Sequence, residues 1–149
     1  MNIQECREFV DKVSPYKLIV KYSNNSYMQS CGACACISGN EYTILLSRSL
    51  FMNQEYLYQK STLLHEVGHF VHRDIRQLSK RELYAELWAI KKANSMGLYD
   101  VKQYAIEFIR DWETRFSWNK DKEWRRYIIA NKRYNRMKGP KNGKVNTFR

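Results

Sequence analysis

The sequence lacks a long apolar run, an internal repeat and an N-terminal segment of the signal-peptide type. No apolar stretch approaches the roughly 20 residues that a membrane-spanning helix needs, and residues 1–8 do not follow a basic start with an apolar stretch. The 149 residues are 44% apolar and 28% charged, which is a globular composition and argues against disorder. We therefore expect one soluble, cytoplasmic domain with no contact to a membrane.

Cysteine is scarce, with only Cys6, Cys31, Cys34 and Cys36 in the chain. In a reducing compartment such residues are more often free thiols or metal ligands than disulfides. A structural zinc site needs four ligands, usually from two close pairs, and the chain has no second pair. Strand alternation places Cys34 and Cys36 on one face, which favours packing as reduced thiols. A second metal site or a redox role remains an alternative for Cys31, Cys34 and Cys36.

Acidic residues are also few, with 15 Asp and Glu against 26 Lys and Arg. The imbalance is concentrated near the C-terminus, where residues 110–149 carry 13 basic and 4 acidic side chains, or +9 of the total +11. Such a region attracts polyanions, although no base-reading motif is recognisable there. It could bind nucleic acid, bind an acidic protein partner, or simply form a solvated surface.

The order of predicted elements is one helix, a small sheet, and then helices. An apolar helical face predicts the first helix at residues 3–13, and β-rich runs predict an antiparallel sheet from residues 17–22, 33–37 and 42–46. Further helices are predicted at residues 61–72, 79–97, 101–118 and 121–137. This order predicts an α+β fold. We expect residues 1–138 to form a single domain and residues 139–149 to form a flexible basic tail.

The predicted helix at residues 61–72 contains the motif H-E-x-x-H, as His65-Glu66-Val67-Gly68-His69. Residues four apart lie on one face of a helix, so the two imidazoles can bind one metal ion. Two of the chain's only three histidines occur in this frame. A bound zinc ion lowers the pKa of its water and polarises a carbonyl, and Glu66 can then accept the proton. The motif predicts one Zn²⁺ per chain.

Two histidines leave a catalytic zinc ion one protein ligand short. The third histidine, His72, lies one turn beyond His69 on the same helix and cannot readily reach the same ion. Residues 82–89 read E-L-Y-A-E-L-W-A. Together with H-E-x-x-H, this stretch resembles the pattern E-x-x-A-D/N-x-x-A of the gluzincin metallopeptidases, among them the ImmA/IrrE-like and the Ste24-like groups. The resemblance implies that Glu82 is the third zinc ligand and that Glu86 supports a zinc-bound histidine.

Two alternatives to that assignment follow from the residues themselves. Glu86 occupies a position where the family has the shorter Asp or Asn, so Glu86 could itself be the ligand. The sequence Ser79-Lys80-Arg81-Glu82 also matches a capping box, in which the carboxylate of Glu82 would bond the backbone of Ser79 and face away from the metal.

The resemblance also implies a fold and an activity. The fold would be a minimal zincin, and the activity would be hydrolysis of a peptide bond, with a regulatory protein as a plausible substrate. In zincins an edge strand binds the extended substrate, a place that residues 42–46 or their hairpin partner would fill. Tyr84, Tyr127 and Tyr134 are candidate donors to the oxyanion. The alternative function is a zincin-shaped binding protein that acts on nucleic acid or an acidic protein through residues 110–149.

Overall fold

The structure is a computed structural model that describes residues 1–23 and 32–115. In that part of the chain, five helices and three strands follow one another as α1 (Ile3–Val13), β1 (Ile19–Ser23), β2 (Ala33–Ser38), β3 (Glu41–Ser47), α2 (Arg48–Met52), α3 (Tyr56–Val71), α4 (Leu78–Ser95) and α5 (Tyr99–Arg115). The predicted α+β class is confirmed. None of these helices is long and apolar enough to cross a bilayer.

The three strands form one mixed sheet with the order β1-β3-β2. β2 and β3 are the predicted hairpin, paired antiparallel up to Ser38 and Glu41, and Gly39 in the turn adopts a positive φ of 59°. β1 pairs with β3 in parallel, with Ile19 opposite Thr43, so the expectation of a purely antiparallel sheet is wrong. A β-rich run predicts a strand but not its neighbour, and only the two-residue turn imposes an antiparallel pair. β2 is consequently an edge strand.

The helices differ most from the predicted ones at two places. α3 begins at Tyr56, five residues before the predicted start, and the short helix α2 was not predicted. Ser47 begins α2, since its side chain accepts a hydrogen bond from the backbone N–H of Leu50 at 3.2 Å. The predicted helix at residues 121–137 and the tail at residues 139–149 lie outside the described residues.

The C-terminus of α4 has the glycine cap that the sequence predicts. Gly97 has a φ of 72°, and the N–H of Leu98 donates to the carbonyl of Ala93 at 2.9 Å. The N–H of Gly97 donates to the carbonyl of Asn94 at 3.2 Å, which completes a Schellman motif. The motif ends α4 and turns the chain directly into α5.

The core lies between α3 and one face of the sheet, with α1 closing one side and α4 the other. α3 is buried over most of its length, and its apolar side chains pack with those of the sheet and α1. This contact includes Val10, Ile44, Leu46, Leu63, Leu64, Val67 and Phe70. Burial of side chains of this size contributes roughly 1.5–3 kcal/mol each, so α3 is held firmly in place. α4 then packs across the remaining face of α3.

Candidate metal centre

The two histidines of the motif lie on the face of α3 that meets α4. Their ring centroids are 4.6 Å apart and the rings are nearly perpendicular, at 88°. His65 is buried and His69 is half-buried, so both imidazoles sit at the rim of the core rather than in open solvent. Because the two residues are one helical turn apart, their Nε2 atoms lie close together.

α4 contributes Glu82 to the same place. One carboxylate oxygen of Glu82 lies 2.9 Å from Nε2 of His65, and the other lies 3.4 Å from Nε2 of His69. One donor atom from each of these residues lies within 4.8 Å of the other two. Ligands held about 2.0–2.2 Å from a tetrahedral ion lie roughly 3.3–3.6 Å from one another. The two imidazoles and one carboxylate are close enough to hold one metal ion, and these donor types are among those that zinc uses.

Glu86 contacts the opposite side of the His65 ring. Its carboxylate oxygen lies 2.5 Å from Nδ1 of His65, and its side chain is almost fully buried. A carboxylate at one ring nitrogen fixes the tautomer, so that the other nitrogen can bind a metal. The second oxygen of Glu86 is buried without a hydrogen-bond partner among the described residues. The geometry thus places Glu86 behind His65, and Glu82 in front of it.

The capping-box interpretation of Glu82 is wrong. α4 begins at Leu78, and its N-cap is Gln77, whose side chain makes no capping hydrogen bond. Glu82 consequently lies in the second turn of the helix, where its carboxylate reaches α3. The chain between α3 and α4 is short, and the first turn of α4 is already complete when the chain reaches Glu82.

Glu66 is buried next to the histidines and contacts the sheet. The backbone N–H of Ala35 in β2 interacts with its carboxylate and favours the charged form. Burial raises the pKa of Glu66 above its ordinary value, while the nearby His65 and His69 and the amide of Ala35 moderate the rise. A carboxyl group with a raised pKa is better suited to accept and return a proton near neutral pH.

The electrostatics of the cluster favour positive charge. Burial lowers the pKa of His65, but the carboxylates of Glu86 and Glu82 outweigh burial, so the pKa lies well above its ordinary value. Burial likewise raises the pKa of Glu82, but hydrogen bonds from His65 and His69 outweigh it and hold the pKa well below its usual range. Two carboxylates on one imidazole therefore stabilise a cation at this point.

These contacts depend on a close approach of α3 and α4. The sequence did not predict this approach. A Cβ atom added to Gly68 would lie 2.5 Å from the carbonyl oxygen of Ala85 and 2.8 Å from its Cα. Gly68 is three residues after His65, and Ala85 lies between Glu82 and Glu86. Only glycine lets the backbones touch where imidazoles and carboxylates meet. The sequence held one sign of this close contact, which was a glycine inside a helix with many apolar residues.

Two other candidate residues in the described part of the chain, His72 and Tyr84, contact each other. His72 is the C-cap residue of α3, and its ring contacts that of Tyr84 with centroids 5.3 Å apart. Burial, followed by the charges of His69 and Lys91, lowers the pKa of His72. Tyr84, a candidate donor to the oxyanion, therefore contacts the histidine that follows the motif. Tyr127 and Tyr134 lie outside the described residues.

Comparison of this chain with protein-family models, with curated proteins and with solved structures finds no match. The resemblance to gluzincins consequently depends on residues 63–89 alone.

Proposed function

We propose that this protein is a zinc-dependent metallopeptidase of the gluzincin type, with one zinc ion per chain. His65, His69 and Glu82 would be the metal ligands. The observation that supports this proposal most strongly is the position of Glu82, which faces Nε2 of both histidines at 2.9 and 3.4 Å. An H-E-x-x-H sequence can occur by chance in a helix, but a chance match does not supply a third donor from the next helix.

Each remaining residue of the cluster has a role in hydrolysis. When bound, zinc polarises the scissile carbonyl and lowers the pKa of its water towards neutrality. Glu66 accepts the proton of that water on its carboxylate and returns it to the leaving amine. Glu86 holds His65 in the tautomer that presents Nε2 to the metal. The N–H of Ala35 would favour the charged form of Glu66, which is the form that accepts the proton.

The substrate would be an extended segment of a protein or peptide bound along β2. The backbone of Gly32 accepts from Ser47 at 2.8 Å, and Ser38 pairs with Glu41, so the even-numbered residues of β2 bond to β3. The amides of Ala33, Ala35 and Ile37 therefore point away from β3, towards the free edge. That of Ala35 reaches Glu66, so a peptide added to this edge would lie next to the metal ligands. We place this reaction in the cytoplasm.

The substitution Glu66→Gln tests the proposal. It removes the proton acceptor but preserves the shape of the side chain and all three ligands. Zinc content measured by mass spectrometry should stay near one per chain, while cleavage of a quenched peptide library should fall by orders of magnitude. Glu8→Gln is the matched control, since Glu8 is exposed on α1, and it should change neither quantity. Undiminished cleavage by the Glu66→Gln variant would refute the proposed function.

A second candidate function follows from the charge of residues 110–149. A net charge of +9 in this region would bind nucleic acid or an acidic protein partner whether or not the metal centre is active. The two functions are compatible, because the described part of the metal centre uses residues from α3, α4 and β2 only. Binding measured across a salt series separates them, as set out below.

A further inference from the structure

Two thiols of β2 are in contact on one face of the sheet. The Sγ atoms of Cys34 and Cys36 lie 3.8 Å apart, and both residues are half-buried and free of disulfides. Cys34 also donates through its thiol to the carbonyl of Ala35 at 3.7 Å. Cys6, by contrast, is fully buried in the core. Reagents that reach the edge strand can therefore reach this pair and not Cys6.

The residue between the two thiols contacts the candidate metal centre. The backbone amide of Ala35 points away from β3, because the even-numbered residues of β2 bond to β3, and it interacts with the carboxylate of Glu66. The side chain of Ala35 lies on the other face of the sheet from the two thiols. There it packs against the core, next to its neighbour on β3, Ile44. A change in the backbone between Cys34 and Cys36 would therefore move an amide that interacts with the carboxylate of Glu66.

Joining the two thiols requires such a change. Residues two apart in a strand are separated by about 6.6–6.8 Å between Cα atoms. That separation is at the upper limit of the roughly 4.4–6.8 Å found across disulfides. The Sγ atoms must also approach from 3.8 Å to a bond length of about 2.0 Å. The strand must therefore pucker at Ala35, and a strained bond of this kind is readily reduced again.

We propose that Cys34 and Cys36 form a reversible thiol-oxidation site that acts on the metal centre through Ala35. The oxidant would be a low-molecular-weight disulfide. The thiolate of one cysteine attacks it, forming a mixed disulfide and releasing one thiol. The thiolate of the other cysteine then displaces the second thiol and closes the Cys34–Cys36 bond. The protein loses two protons and two electrons, and the small disulfide gains them. The effect on hydrolysis rests on the proposed function, whereas formation of the bond does not.

The experiment treats the zinc-loaded full chain with a series of ratios of oxidised to reduced glutathione. Peptide mapping should identify a Cys34–Cys36 disulfide that dithiothreitol removes. Hydrogen exchange of the Ala35 amide should accelerate about tenfold or more in the oxidised protein, because its interaction with a charged group is lost. Peptide cleavage should fall with oxidation and return on reduction.

Matched variants separate this site from other thiols. Cys36→Ser should abolish the disulfide and both of its effects, whereas Cys31→Ser should retain them. A disulfide that maps to Cys31 and Cys34, or a Cys34–Cys36 bond that leaves Ala35 exchange unchanged, would overturn the proposal. If the bond forms and Ala35 exchange accelerates in a protein that cleaves no peptide, the thiol site is supported and the peptidase function fails.

Discussion

Replacing Gly68 by Ala tests whether the contact between α3 and α4 sets the geometry of the metal centre. The new Cβ would lie 2.5 Å from the carbonyl oxygen of Ala85, whereas ordinary contacts begin near 3.4 Å. The helices must therefore separate by about 0.9 Å at this point. Glu82 and Glu86 flank Ala85, so both carboxylates would move away from the histidines by a similar distance.

The expected cost to the fold is small, and the expected cost to metal binding is larger. Overpacking costs about 1–3 kcal/mol, but alanine is favoured over glycine in a helix by roughly 1 kcal/mol. The net loss of unfolding free energy is then about 0–2 kcal/mol, and the variant should fold. Metal sites tolerate about 0.2 Å in ligand distance. A displacement near 0.9 Å should lower zinc affinity at least as much as loss of an outer hydrogen bond does, about 10–100-fold.

The assay is zinc competition with a chromogenic chelator, with urea unfolding of the metal-free protein alongside it. Gly39→Ala is the matched control, because Gly39 has a φ of 59° and nothing lies within 4 Å of the added atom. That change should cost about 1–2 kcal/mol of stability through backbone strain and leave zinc affinity unaltered. If Gly68→Ala binds zinc as tightly as the unmodified chain, the helix contact does not set the ligand geometry.

Three further predictions test other parts of the molecule. Glu82→Ala should reduce zinc occupancy and metal-dependent stability more than Glu86→Ala, whose effect should be about 10–100-fold in affinity; the reverse order in a chelator titration would make Glu86 the ligand. Burial raises the pKa of Cys6 to about 11. The folded state therefore holds this proton more tightly, and stability should fall by about 2–3 kcal/mol as the pH rises from 9 to 11. Cys6→Ala should remove that part of the pH dependence in urea titrations, and identical pH profiles would contradict it. Deleting residues 139–149 should flatten the salt dependence of DNA and RNA binding without changing zinc content; affinity weaker than about 10⁻⁴ M at physiological salt would exclude nucleic acid as a partner.

The elements with a clear local signal could be predicted from the sequence. The first helix is predicted at the bounds it has, since its apolar residues recur with helical spacing. The end of α4 is marked by Gly97. The parallel pairing of β1 with β3 could not be predicted, because strand neighbours depend on how the whole sheet packs. α2 is too short to carry a helical period, and its only signal is the capping side chain of Ser47.

The sequence predicted the part of the candidate site that helical spacing defines. The period places His65 and His69 together, and the resemblance to gluzincins pointed to Glu82. The distance between α3 and α4 had no such signal, because it depends on Gly68 meeting a backbone 17 residues away. The interaction of Ala35 with Glu66 could not be predicted either, since it is made by a backbone amide that every residue except proline carries.

The side chains of the candidate metal centre come from a short stretch of the chain. All four side chains that meet at His65 lie between residues 65 and 86, on two consecutive helices joined by one short connection. The sheet and α1 pack against α3, and Ala35 is the residue of the sheet that interacts with Glu66. Substitutions on the outer face of α1 or β1 should therefore leave the distances between the candidate metal ligands unchanged. The distance between α3 and α4, by contrast, can vary little without moving these ligands. We therefore expect substitutions in the α3–α4 hairpin to be tolerated least.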